Sequence, residues 1–248
     1  MNILLLTADS LRADRTSLFG HYRDTTPFLA ELAADAYEFR TAYVSGRNTA
    51  DSFPGIHCST YQSVFEGTGI PTTGPPTVAE ELAANGLSTF GINTNELLSR
   101  EYNYDRGFDI YVDSRSNTST EVETSSEWRG IIRSVIGQGV IFELIKQFHF
   151  ISTEYLGVKI FDTADATSDF TDQLLNWAQQ TREDWFIWAH FMNPHHPYLP
   201  PLECQLVLGF DPVSKRQATK LSRKMRIHPE NVTEAERKTI GRLYDASV

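Results

Sequence analysis

Ile3-Leu4-Leu5-Leu6-Thr7-Ala8-Asp9-Ser10-Leu11-Arg12-Ala13-Asp14 is the stretch on which the fold turns. Residues 3–8 form an apolar run without polar alternation, the pattern of a parallel strand buried on both faces. The run stops at Asp9. A carboxylate at the carboxyl end of such a strand stands where open α/β sheets bind their ligands. The same residue could also simply cap the next turn of chain, as Asp often does. Two later runs share the pattern. Leu87 to Ile92 leads into Asn93-Thr94-Asn95, and Trp185 to Ala189 leads into His190. Helical spacing separates these strands: Phe28, Leu29, Leu32, Ala33 and Ala36 recur on one face, Val78 to Leu82 opens a second helix, and Phe170, Leu174, Leu175 and Ala178 mark another. Strand–helix alternation of this kind predicts an α/β fold, a mainly parallel sheet flanked by helices. Asp9, the Asn93/Asn95 pair and His190 then gather along one edge of the sheet.

Composition bounds the function. A chain of 248 residues with 40% hydrophobic and 22% charged residues can build a sizeable core. A net charge of −10 argues against nucleic-acid binding, which needs a basic surface. Cys58 and Cys204 make neither a disulfide framework nor a zinc site and read as buried free thiols. The run from residue 3 is too short for a secretory signal. The apolar stretch from Gly130 to Ile151 carries Arg133, Glu143 and Lys146, so it is no membrane span. The expectation is a cytoplasmic protein.

Phe39 to Val44 has strand character, and so does Ile110-Tyr111-Val112. Ser45 to Tyr61 reads as a loop feeding a helix, where a hydroxyl such as Thr49 or Ser52 would meet free backbone N–H groups and the positive end of the helix dipole. Either residue could instead be only the helix cap. Residues 113–127 read as a flexible surface segment, and Ile132, Val135, Ile136, Val140 and Leu144 as a packed helix. His190, His195 and His196, in a loop stiffened by Pro194, Pro197, Pro200 and Pro201, point to phosphate, sulfate or metal chemistry. Lys215 to Arg226 reads as a solvated helix face, and Glu234 to Val248 as the start of a further helix.

Together these motifs resemble the sulfatase family of the alkaline phosphatase superfamily. Leu6 to Asp14 is similar to the family's first metal-binding strand, Gly20-His21-Tyr22 through Leu29 to its following segment, Phe39 to Tyr43 to its next strand, and His190 to Pro201 to its central histidine loop. Leu243 to Val248 looks like the beginning of its late helix. The resemblance implies one sulfatase-like catalytic domain over 1–248, with Asp9 as ligand to a divalent metal (Ca, Mg, Mn or Zn). Thr49 then falls at the nucleophile position, His195 assists the leaving group, and His190 makes a second contact. Asn95, Ser52 and His196 are substrate-binding candidates, and Asp14 is structural. The partner is an anionic small-molecule or glycan ester.

Three departures shape the expected function. Threonine cannot become the formylglycine of many sulfatases; a direct Thr nucleophile is similar instead to lipoteichoic acid synthases and phosphoethanolamine transferases. A shifted alignment makes Ser52-Phe53-Pro54 the motif core and Ser52 the reacting hydroxyl. Ser10 stands where many members carry a second Asp, and the sequence reaches residue 248 before the family's late Asp-His-Gly motif. The fold is therefore expected to be incomplete at its C-terminal side, with a missing segment or a partner chain supplying the rest. The resemblance implies a metal-dependent hydrolase of sulfate or phosphate esters. The alternatives are a non-catalytic remnant or half of a split protein, and a phosphotransferase acting on a polar envelope polymer.

Overall fold

Four strands form a parallel sheet in the order β1-β4-β2-β3: β1 is Ile3–Ala8, β2 Ser88–Asn93, β3 Ile110–Val112 and β4 Trp185–Phe191. The computed structural model describes residues 1–65, 67–114 and 163–248. Thr7 of β1 and Asn93 of β2 both pair with His190 of β4, so the three carboxyl ends lie level. β2 and β4 are the inner strands and are buried along nearly their whole length, as continuous apolar runs should be.

β1 departs from the expectation of burial on both faces. Ile3, Leu5 and Thr7 are partly covered, whereas Leu4 is 49% and Leu6 52% exposed. The strand order explains this. β1 stands at the edge of the described sheet, and only the Ile3–Leu5–Thr7 face meets the core.

Helices cover both faces of the sheet. On one side α2 (Thr49–Cys58) and α3 (Val78–Ala84) supply Phe53, Cys58 and Ala79 to a cluster with Trp188, Phe186, Tyr104 and Tyr111. Thr77 and Glu80 start α3 with a reciprocal capping box. On the other side α4 (Thr163–Gln180) sets Phe170 against Phe90, Ile92, Ile187 and Ala189. His57 of α2 is buried in the first cluster, its ring 4.3 Å from that of Trp188. Neither of its ring nitrogens has a hydrogen-bond partner among the described residues, and burial pushes its pKa down to about 3.

The remaining helices are α1 (Pro27–Leu32), α5 (Leu202–Val207), α6 (Lys215–Ile227) and α7 (Glu234–Ser247). α6 and α7 share a cluster of Ala218, Leu221, Ile240 and Leu243. α7 also reaches back to the loop after β1. The Tyr244 hydroxyl accepts from the Arg12 N–H and donates to the Ser10 carbonyl, each at 2.8 Å. The wholly buried Asp245 side chain accepts from Arg15 Nη1 at 2.9 Å and Arg23 Nη1 at 2.5 Å, with His21 Nε2 at 3.2 Å.

Three further expectations differ. Phe39 to Val44 forms no strand: no described strand lies alongside to take its backbone hydrogen bonds, and Phe39 and Tyr43 are 80% and 91% exposed. Cys58 is buried, but Cys204 is exposed because α5 turns Gln205, not Cys204, inward. Asp113 is buried, its carboxylate accepting the Arg100 N–H. Residues 115–127 of the expected flexible segment and the expected helix over 132–144 lie outside the described residues. Among the described residues no helix is long and apolar enough to cross a membrane.

Candidate active site

Asp9 is the first residue past β1, its N–H donating to the Phe191 carbonyl at 2.8 Å and so prolonging the β1–β4 ladder by one bond. The chain then turns sharply, with Ser10 at φ 59°, a left-handed conformation uncommon for a residue with a side chain. Such outliers cluster at functional sites because the surroundings must hold them. Here Tyr244 holds the Ser10 carbonyl. The turn presents the Asp9 carboxylate to four groups. Ser10 Oγ donates to Oδ1 at 2.7 Å, while Thr49 Oγ1 and Asn95 Nδ2 donate to Oδ2 at 3.2 Å each. His190 Nε2 stands 3.6 Å from Oδ2, too long for a hydrogen bond but close for an electrostatic contact. Burial raises the Asp9 pKa, but the contacts with His190 and Ser10 and the charges of His195 and His190 outweigh it. The net effect holds the carboxyl well below the usual carboxylate range.

Thr49 opens α2. The cap is neither Thr49 nor Ser52: Asn48 caps the helix, its side chain accepting the Asp51 N–H at 3.0 Å. Thr49 is therefore in the first helical turn, where N–H groups lack intrahelical partners and the dipole favours an anion. Ser52 is turned elsewhere. Its Oγ donates to the Gly46 carbonyl at 3.0 Å, and Ser45 Oγ donates to the Ser52 carbonyl at 3.0 Å. These bonds pin the loop to the helix. Gly46 has to be glycine, since a Cβ there would collide with Asp51.

The Asn95 amide has one orientation. Its Oδ1 accepts the Leu97 N–H at 3.0 Å, which leaves Nδ2 to face Asp9 and Met192 Sδ. His190 lies inside β4 rather than beyond it and is 1% exposed. Its Nδ1 is 2.9 Å from Thr7 Oγ1, which also accepts from Trp188 Nε1 at 3.1 Å. His195 and His196 stack with ring centroids 4.4 Å apart, and His195 Nδ1 donates to the His196 carbonyl at 2.7 Å. Burial and the charge of His195 push the His196 pKa down, and Asp9 partly opposes this. Asp14 is exposed and paired with Arg12.

The structure thus brings Asp9, Thr49, Asn95 and His190 to one point, with His195 and His196 within electrostatic reach. It leaves Ser52 outside. Thr7 and Tyr244 do not stand out in the sequence as site residues. Thr7 carries a signal, a hydroxyl inside an otherwise aliphatic run, whereas Tyr244 meets Ser10 only through the fold.

These groups do not amount to a metal site. Among the described residues no three His, Cys, Asp or Glu side chains are arranged to hold an ion. Among the described residues Asp9 is the one carboxylate at this point, and its Oδ2 faces hydroxyl and amide donors, whereas a hard cation seeks several oxygens.

The sulfatase family model matches residues 1–245. No curated protein matches the chain in sequence. Among solved structures it is similar to the C-terminal periplasmic domain of EcEptC from Escherichia coli in complex with Zn. The identity is 13% and the TM-score 0.58, over 99% of this chain and 55% of that one. It is also similar to a phosphonate monoester hydrolase of Agrobacterium radiobacter, with 15% identity and TM-score 0.55 over 99% and 56%. A third is Ps i-CgsB in complex with k-i-k-neocarrahexaose, with 16% identity and TM-score 0.53 over 99% and 54%. At these identities the likeness concerns the fold. The chain spans about half the length of these solved relatives. With the family model covering nearly its whole length, the chain belongs to the sulfatase family and has the fold of the alkaline phosphatase superfamily.

Proposed function

We propose that these residues carry the nucleophile half of a site for hydrolysis or transfer of phosphate or sulfate esters, with Thr49 as the nucleophile. Family membership supports this kind of reaction. The observation that carries the assignment to Thr49 is its hydroxyl at the head of α2, hydrogen-bonded to Asp9 across the strand end. A threonine hydroxyl is a weak nucleophile unless oriented and relieved of its proton. Asp9 does the orienting. A carboxylate held so far down is a weak base, so it receives the proton late, as the bond from Oγ1 to phosphorus or sulfur makes that oxygen acidic. The first-turn N–H groups of α2 face the charge on the transferred group.

As the new bond forms, the bond to the leaving alcohol breaks, and that oxygen takes a proton from the histidine loop. His195 is suited to this, because its Nδ1 is tied to the His196 carbonyl and its Nε2 remains for proton exchange. The Thr49 ester is then opened by water, giving hydrolysis, or by an acceptor alcohol, giving transfer. Divalent-metal dependence, with Asp9 as one ligand, would require donors beyond those of the described residues.

The test is the purified chain with p-nitrophenyl phosphate, p-nitrophenyl sulfate and a phenylphosphonate monoester. Turnover lost in Thr49→Ala, with a phosphoryl or sulfuryl adduct on the Thr49 peptide of the parent, supports the assignment. Turnover unchanged in Thr49→Ala overturns it. Added alcohol competing with water separates transferase from hydrolase. The lone carboxylate favours a second reading, in which the same residues bind an anionic ester without turning it over. That reading requires saturable binding of the ester and no turnover.

A further inference from the structure

We infer that Thr7 is a positioning residue that holds His190 as the Nε2–H tautomer, opposite to that of His195, so that the one ring offers a protonated Nε2 and the other a bare one. The inference rests on the site proposed above and concerns the direction of its hydrogen bonds.

The register sets Thr7 beside His190 across the β1–β4 ladder. Thr7 Oγ1 has one proton and two lone pairs. The indole Nε1–H of Trp188 can only donate, and at 3.1 Å it occupies one lone pair. The Thr7 proton then has two acceptors in reach, the Ala189 carbonyl at 3.4 Å and His190 Nδ1 at 2.9 Å. Only the second is of good hydrogen-bond length. If Nδ1 accepts, the ring proton of neutral His190 is on Nε2, and Nε2–H points toward the Asp9 carboxylate 3.6 Å away. The opposite assignment would set a bare Nε2 lone pair against an anion, inside a site where His190 is 1% exposed. Both contacts favour the same tautomer. The order is Trp188 to Thr7 to His190, each donating to the next, with Nε2–H of His190 facing the Asp9 carboxylate at electrostatic range.

His195 is fixed the other way. A carbonyl oxygen has no proton to give, so the 2.7 Å contact with the His196 carbonyl requires Nδ1–H, and neutral His195 has a bare Nε2. His190 therefore turns Nε2–H toward Asp9, while neutral His195 leaves Nε2 free to pick up the proton that it passes to the leaving oxygen. His190 cannot offer its Nε2 lone pair to a cation without moving its proton to Nδ1 and reversing the Thr7 bond, which sends the Thr7 proton to the longer Ala189 contact. This accounts for part of the misfit between these donors and a metal site.

Nitrogen NMR of the histidine-labelled full chain tests this, because a protonated and a bare ring nitrogen resonate far apart. Spectra are taken near pH 8.5, where an imidazole of ordinary pKa is neutral. His190→Gln and His195→Gln assign the two rings. The expected result is Nε2–H for His190 and Nδ1–H for His195. In Thr7→Val the His190 ring shifts toward a mixture of tautomers or toward Nδ1–H, and Thr7→Ser restores the parent spectrum. Nδ1–H at His190 in the parent chain overturns the inference without any variant, and so does an unchanged His190 signal in Thr7→Val. With an active chain, Thr7→Val lowers kcat about tenfold at unchanged KM. An inactive chain with Nε2–H at His190 defeats the catalytic reading and supports this one; an active chain with Nδ1–H does the reverse.

Discussion

Asp9 and Asp245 are two largely buried carboxylates held in opposite ways. Asp245 meets two guanidinium groups and an imidazole, and its side chain is wholly buried. Its charge is more than matched by permanent cations. Asp9 meets two hydroxyls, an amide and an imidazole. These donors satisfy its lone pairs but bring no guanidinium or ammonium to balance its charge. The difference separates a carboxylate that fastens a fold from one that keeps an electrostatic deficit for something else to fill. The group matched by guanidinium cations reads as structural, and the one held by hydroxyl, amide and imidazole is the candidate for a site.

The sharpest way to break this comparison is to remove each carboxylate in turn. Asp245→Ala leaves Arg15 and Arg23 facing each other without their anion. Losing one partner of a buried ionic group costs about 3–5 kcal/mol, so urea unfolding of this variant should show a loss of that order. Asp9→Asn should cost less than that, because the Asn oxygen can still accept from Thr49 or Asn95 and no permanent cation is left without its anion. It should lower ester turnover by about 10²–10³-fold, the scale for losing one electrostatic contact in a site. A large stability loss at Asp9, or none at Asp245, reverses the assignment.

Acid unfolding sharpens the comparison once a buried base is accounted for. The His57 pKa is lowered in the folded state, to about 3 from the ordinary 6.5. The unfolded chain therefore takes up this proton first as pH falls. The stability tied to neutral His57 is complete above pH 6.5 and declines toward pH 3, at about 1.4 kcal/mol per pH unit. His57→Phe should flatten this limb, leaving the steeper loss below it to the carboxylates. A limb unchanged by His57→Phe shows that the ring is protonated when folded. The smallest effect concerns Ser52. Ser52→Ala removes the bond to Gly46 and should cost about 1 kcal/mol while leaving turnover within about twofold.

Much of the Asp9 side of the comparison was legible in the sequence. Strand ends can be read from apolar runs, and in a parallel sheet level ends bring Asp9, Asn95 and His190 together whatever the loops do. Thr49 at the head of a helix could be read as well, although the cap proved to be Asn48. The Asp245 side was not legible. Its partners Arg15 and Arg23 are 230 and 222 residues away, and no local periodicity links them. The place of β1 in the sheet escaped for a related reason. An Ile-Leu-Leu-Leu run shows that a strand is apolar, but strand order decides which faces are covered, and Leu4 and Leu6 are half exposed. Phe39 to Val44 shows the same limit, since β-forming residues make a strand only beside a partner.

The Asp245 closure also has a schedule. A ribosome adds roughly 5–20 residues each second. With 222 to 230 residues between them, Arg15 and Arg23 wait roughly 10 to 45 s for their anion. Until then the turn that aims Asp9 lacks both the Tyr244 clasp and its ionic anchor. Thr49, the proposed nucleophile, is translated early, yet the turn that carries Asp9 gains these contacts only when α7 docks, so the Asp9–Thr49 arrangement is complete only long after both residues have been made.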